Sequence, residues 1–220
     1  MATSSYKPGS KAHCWTEKGL PNVSPRERLI EAGLKLFYRD GFHATGIDVL
    51  LAEAGVAKKT LYTHFKSKED LILAVMRRRD ELYRNWFMRE VEKRSTSPRK
   101  RLLACFDVIG DWVKSKDFYG CACINASAEF ADKNDPVHRA AAEHKQFIMS
   151  YLESLARAAQ LENPELLAGQ LLVMIDGAVV VAQVTGRSGA VADAKRAAEV
   201  LISGAAKPAA TNRKATPALA

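Results

Sequence analysis

Cysteine is scarce in this chain: four residues in 220, without the regular spacing of a disulfide framework. That composition argues against a disulfide-stapled secreted domain and fits a reducing compartment. No apolar run approaches the ~20 residues that cross a bilayer. The opening MATSSYKPGSKAHCWTEKGLP has no apolar stretch of signal-peptide type. An alternating strand pattern is missing as well. Val179 to Val181 are β-branched, but they sit inside a long apolar helical window. No phosphate-cradling glycine loop, nucleophile elbow, HExxH pair or acid/base couple is found. These absences lead to the expectation of an all-α cytoplasmic protein that is not an enzyme, needs no cofactor and does not enter a membrane.

What is present is ordinary for a globular protein: 47% hydrophobic and 26% charged residues, with length for one large domain or two small ones. The net charge of +8 is unevenly spread. Residues 71–104 carry ten bases and four acids, whereas residues 105–206 carry nine bases and thirteen acids. A polyanionic partner would therefore meet the N-terminal half. Solubility alone is the plainer explanation of the same charge.

Helix starts are legible. Ser24-Pro25, Ser97-Pro98, Asp135-Pro136 and Asn163-Pro164 each set a capping side chain before a proline at the first helical position. Ser24 and Glu27 have capping-box spacing, and Thr45/Asp48 and Ser67/Asp70 repeat it with the shorter acid. These signals predict helices near 25–40, 47–54, 58–64, 68–94, 98–115, 119–131, 136–160, 164–186 and 190–204. Residues 1–23 and 207–220, rich in Ala, Lys, Ser, Thr and Pro, read as a disordered arm and tail.

The first three helices form one unit. Leu29, Gly33, Leu36 and Phe37 share a face of the first, and Ile47, Leu50, Leu51 and Ala54 make the stripe of the second. Gly41 follows the first helix and Gly55 the second, at positions that favour glycine. In the third helix, with Leu61 at 0° and about 100° per residue, Phe65 falls near 40° on the buried side. Lys59 and Lys66 lie near 150°, Thr63 near 200°, Tyr62 near 100° and Thr60 near 260°. With Lys58 and His64, the outward face offers cations, hydroxyls and a phenol. Lysine can pair with phosphate or with the acceptor edge of guanine. Threonine can bond phosphate or pack on a thymine methyl, and tyrosine can donate to phosphate. A short helix after a glycine turn is the helix-turn-helix layout, whose second helix enters the major groove. Thr45, at the start of the second helix, is placed to bond a phosphate where the helix dipole favours an anion.

This segment resembles the tetracycline-repressor-like (TetR) family of bacterial regulators. The resemblance runs from Arg26 to about Val75, roughly a quarter of the chain. It rests on Ala32-Gly33-Leu34 before Leu36-Phe37, then Gly41-Phe42, Thr45, Ile47, Ala52 and Gly55-Val56. Leu61-Tyr62-x-x-Phe65 and Lys66-Ser67-Lys68-Glu69 complete it. One departure is Gly46, where many members place a β-branched residue before the isoleucine. The resemblance implies an N-terminal three-helix DNA-binding domain at 24–67 and a larger helical effector-binding and dimerisation domain at 68–206. It also implies a homodimer joined through the helices near 164–186 and 190–204, a pseudo-palindromic double-stranded operator and a small-molecule effector. The window LLAGQLLVMIDGAVVVAQVTG, apolar nearly all round, suits a helix buried by its own subunit and by a partner.

For the effector, the body helices supply Tyr83, Trp86, Phe106, Ile109, Trp112, Val113, Cys123, Asn125, Phe147, Tyr151 and Asp176. Most would serve equally as core. Asn125 and Asp176 are polar groups on apolar stretches and need partners if buried. Cys121 and Cys123 raise the reading of a thiol that senses an electrophile or oxidant, with His144 able to lower a thiol pKa if close. Two small buried residues is the preferred reading. A metal site formed by Cys121, Cys123, His138 and His144 has no standard ligand spacing, so no metal is expected. A helical protein-interaction module without DNA is the remaining alternative; its outer face at 58–66 would tolerate charge reversal.

Overall fold

The computed structural model describes residues 23–206, so almost all of the expected N-terminal arm and the whole tail lie outside the described residues. Among the described residues there are nine α-helices and no strand. They are α1 (Pro25–Asp40), α2 (Ile47–Ala54), α3 (Lys58–His64), α4 (Lys68–Arg94), α5 (Pro98–Val113), α6 (Ala122–Glu129), α7 (Pro136–Ala158), α8 (Pro164–Thr185) and α9 (Ala190–Gly204).

The short N-terminal helices are held by local chemistry and by a shared core. Ser24 caps α1, accepting from the Glu27 N–H at 3.2 Å, and Pro25 occupies the first turn. Gly41, at φ 93°, ends α1 in a conformation that a side chain would strain. Gly55, left-handed at φ 61°, makes the sharp turn from α2 to α3, and its carbonyl accepts from Arg28 of α1 at 3.2 Å. Leu29, Leu36, Phe37, Leu50, Leu61 and Phe65 close the buried centre. Gly33 lets α1 and α4 approach closely, since a Cβ there would stand 2.5 Å from Val75 Cγ2.

Helix α4, 27 residues and so about 40 Å long, leads from this unit into the body. Ser67 caps it at the Asp70 N–H, and Asp70 in turn accepts from the Lys66 N–H. In the body, α7 packs on α4, α5, α6 and α8, and α9 closes against α5 and α8.

Several expectations need correction. Ser97 and Asn163 precede their prolines as expected, but neither side chain makes a cap bond. The sixth helix spans 122–129, not 119–131. Gly120 turns the chain at φ 85°, and its carbonyl accepts from the Tyr38 hydroxyl at 2.9 Å, a tie to α1 that forbids an earlier helical start. Thr45 does not cap α2; Gly46 holds that position without a side-chain bond. Finally, α8 is long and apolar enough to cross a membrane, with mean hydropathy 1.8, against the expectation that no run came close. Its two acids, Glu165 in the first turn and Asp176, are too few to lower the average. In the fold, its row of Leu167, Leu171, Ile175 and Val179 is buried, and the helix packs against α7 and α9.

Candidate DNA-binding face and effector cavity

On α3 the division between inside and outside is sharp. Leu61 is 0% exposed and its neighbour Tyr62 is 49% exposed. Lys58, Lys59, Thr63, His64 and Lys66 are exposed with it, while Thr60 is half-buried. The Thr63 hydroxyl donates back to the Lys59 carbonyl at 2.9 Å, which leaves its lone pairs and methyl facing out. These side chains stand together as one basic, hydroxylated face on a rigid support. Thr45 does not join them. It is 4% exposed, and its hydroxyl donates to the Gly41 carbonyl at 2.6 Å. The hydroxyl meant for a phosphate is thus spent inside the protein, bracing the turn between α1 and α2.

Among the cavities of the described residues, two hold expected effector residues. The inner one, of about 40 Å³, is bordered by α4, α5, α6, α7 and α8. Five of the expected effector residues line it: Tyr83, Ile109, Trp112, Cys123 and Asp176. Val113 and Asn125 instead line an open pocket of about 590 Å³ between α1 and the body. Asn125 donates to the Tyr119 carbonyl at 3.0 Å and accepts from Gln183 at 3.1 Å, which supplies the partners its position needs. Trp86, Phe106, Phe147 and Tyr151 line neither cavity. Phe106 is core, Trp86 and Tyr151 pack around Phe87 and Tyr83, and Phe147 lies under the Arg84 guanidinium at 4.0 Å.

Residues outside the expected effector contacts give the inner cavity its chemistry. Cys121 and His144, singled out in the sequence only for a thiol or metal centre, reach it, as do Lys145, Arg79 and Asp80, which the sequence did not point to. The Lys145 ammonium pairs with Asp176 at 2.6 Å and stands 3.7 Å from Cys121 Sγ. His144 Nδ1 lies 2.7 Å from Asp80, and Asp80 also pairs with Arg84 at 2.6 Å. Burial works against the Asp80 anion, but hydrogen bonds from His144 and Arg84 hold its pKa below the usual carboxylate range. Asp176 moves the other way, its pKa raised by burial against the pull of Lys145. The Cys123 thiol donates toward Cys121 and, with the nearby Lys145, holds the Cys121 pKa well below the ordinary thiol value. The same pairing, with burial, pushes Cys123 up.

A signal for His144 did exist. Val137, Ala141, His144, Ile148, Leu152 and Leu155 form the buried stripe of α7, so the histidine occupies a core position by periodicity alone. His138, grouped with it from the sequence, bonds the Phe130 carbonyl and stays apart.

The cavity wall is also tied to the DNA-binding helices. The Tyr38 hydroxyl of α1 accepts from the Tyr119 N–H at 3.1 Å while donating to Gly120, directly before Cys121. The Arg79 guanidinium, at the cavity edge, lies over the Tyr38 ring at 3.7 Å. Glu129, at the end of α6, accepts from the backbone N–H groups of Phe42 and His43 at 3.0 and 2.6 Å.

Comparison with known proteins places this arrangement. Residues 29–75 match the sequence model of bacterial regulatory proteins of the tetR family, and residues 98–198 match that of the tetracyclin repressor-like C-terminal domain. The chain belongs to the TetR family of transcriptional regulators. A solved TetR-family transcriptional regulator from Streptomyces coelicolor is 30% identical, with a TM-score of 0.77 covering 83% of this chain and 90% of that one. The reduced form of NemR from Escherichia coli shares the fold at TM-score 0.72 and 23% identity, covering 81% and 97%. The transcriptional activator FasR from Mycolicibacterium smegmatis is 36% identical over 96 residues, 43% of each chain. As a TetR-family member the chain is a regulator and not an enzyme, and its helix-turn-helix is the family's DNA-binding element.

Proposed function

We propose that this TetR-family protein is a cytoplasmic, ligand-responsive repressor that binds a pseudo-palindromic operator as a homodimer and is released by a small effector. Residues 24–67 form its DNA-binding domain, and residues 68–206 its effector and dimerisation domain. The observation that carries the reading is the outer face of α3. Lys58, Lys59, Tyr62, Thr63, His64 and Lys66 are exposed, while Leu61 and Phe65 anchor the helix from behind. Two such helices, related by a two-fold axis, would meet successive major-groove faces about 34 Å apart.

Dimerisation is supported by apolar surface left open on the last two helices. Val173 and Val184 of α8 are 72% and 77% exposed, and Leu166, Val180 and Val181 of α8 and Val200 of α9 add to them. An exposed aliphatic row of this kind on one subunit is what an interface covers. Repression is preferred because the E. coli relatives ComR and NemR are transcriptional repressors. FasR, an activator, keeps the opposite sign open to measurement.

The test is fluorescence-anisotropy binding of DNA from upstream of the protein's own gene, at fixed salt. Wild type is compared with Lys59→Glu/Tyr62→Ala. Each lost groove contact costs about 1–3 kcal/mol, so losing two should weaken binding at least ~30-fold. Equal affinity, both there and against a genome-wide selection of bound fragments, would sink the reading and favour an interaction module without DNA.

A further inference from the structure

The inner cavity is the wrong size for an ordinary effector. Its volume is about 40 Å³. Drug-sized ligands occupy about 300–1,000 Å³, whereas a cavity needs only ~10–15 Å³ to hold one water. One ion with a water or two fits such a space. The walls are also unusual for an apolar binding site. The donor atoms of Cys121, Cys123 and His144, all buried, lie within 4.8 Å of one another.

We propose that Cys121, Cys123 and His144 form a binding site for one thiophilic d10 ion, Zn(II) or Cu(I), in the effector cavity. This deepens the repressor reading by giving the class of its effector, and in that sense rests on it.

The donor set decides the class of ion. Two thiolates with an imidazole suit zinc or monovalent copper, and offer little to magnesium or calcium, which take oxygen ligands. For bonds of about 2.3 Å to sulfur, donors stand ~3.8 Å apart in a tetrahedral site and ~4.0 Å apart in a trigonal one. The observed spacing therefore closes with side-chain movements of about 1 Å or less. A fourth position, where zinc requires it, can be taken by a water in the cavity.

The surroundings complete the site. Asp80 sits on His144 Nδ1 at 2.7 Å, which leaves the other ring nitrogen as the donor to an ion. A carboxylate on the far nitrogen of a ligating histidine is the usual device for fixing its ring. Charge balances too. A divalent ion is neutralised by the two thiolates, Lys145 is already paired with Asp176, and Asp80 with Arg84. Lys145 then needs no displacement, and its N–H can donate to the Cys121 sulfur from 3.7 Å. The thiol protons leave on binding. The linear pattern hides all this, because the N-cap and first turn of α6 supply the sulfurs and α7 the imidazole.

The decisive experiment is metal uptake by the reduced, full-length protein. Zn(II), and separately buffered Cu(I), are titrated against a chromogenic chelator. One ion per chain should be taken up. Cys121→Ser/Cys123→Ser should weaken uptake at least ~100-fold, and Cys105→Ser, a buried cysteine elsewhere in the body, should not. X-ray absorption at the metal edge of wild type, which depends on no variant folding, should show two sulfur neighbours at about 2.3 Å. Failure of wild type to take up either ion, a shell of nitrogen and oxygen only, or uptake that survives the double substitution would each overturn the site. Thiols that react with hydrogen peroxide in a protein that takes up no ion would mark a thiol centre in its place. None of these readouts involves DNA, so a failure of the operator reading would show in the anisotropy assay alone.

Discussion

In the N-terminal helices, chemistry faces water and stability faces inward. In the body this is reversed. Lys59 and Tyr62 stand out from α3, backed by a wholly buried Leu61. Lys145, Asp176, His144 and Asp80 point into the protein, each matched to a partner. Meanwhile much of the outer surface of α8 is aliphatic. A face that meets a long polyanion must be exposed and broadly cationic. A site that distinguishes one small ligand works best where water is excluded and each charge has a set partner. The same residue types therefore do different work in the two regions. The contacts from Tyr38 and Glu129 are what join them.

The sharpest way to test this contrast uses two neighbours on α3. Leu61→Ala should lower stability by about 2–5 kcal/mol, the usual cost of emptying a buried leucine position. Tyr62→Ala, one residue on, should stay within about 0.5 kcal/mol of wild type, as exposed substitutions usually do, while weakening operator binding. Urea denaturation with the anisotropy assay reads both. If Tyr62→Ala cost as much stability as Leu61→Ala, the division of α3 into an anchoring and a working face would be wrong.

The body should respond to loss of charge in the opposite way. Asp80→Asn is expected to cost about 1–3 kcal/mol, because a partly buried group gives up its carboxylate hydrogen bond with His144 and its ion pair with Arg84. The pH dependence has a definite sign. Folding lowers the Asp80 pKa, so its stabilisation is present above the ordinary carboxylate value and disappears as pH falls through the lowered one. The variant should therefore lose less stability than wild type on acidification. Asp40, whose pKa is also lowered by its pairing with Arg39, is fully exposed, and its removal should leave the acid limb unchanged. Thermal melts across the acidic range would separate the two.

Much of the N-terminal unit was legible because its determinants are local. Glycine at 41 and 55, the Leu61/Phe65 pair and the Ser67/Asp70 box all act within a few residues. Thr45 misled for a related reason. Its spacing to Asp48 is that of a cap, but its hydroxyl bonds back to Gly41, which no forward pattern shows. The start of α6 depends on a hydroxyl 82 residues away in sequence. The cavity was half visible. Tyr83, Trp112, Cys123 and Asp176 were found as large or polar groups on apolar stretches. Lys145 and Asp80 were missed because a charged residue on an amphipathic helix reads as solvated until its partner on another helix is known.

The helix caps offer the smallest effect and the finest test of what local sequence determines. Ser24, Ser67 and Ser97 have the same apparent role, yet only the first two accept a hydrogen bond from the first turn of their helix. Ser97 makes no side-chain cap bond; its own backbone N–H donates to Ser95 Oγ at 3.1 Å. Replacing Ser24 or Ser67 with Ala should each cost about 1 kcal/mol. Ser97→Ala should fall within about 0.5 kcal/mol of wild type. Denaturant midpoints at unchanged slope measure all three. Equal losses would mean that Ser97 caps α5 in solution, and that the body is governed at its helix ends by the same local rules as the N-terminal unit.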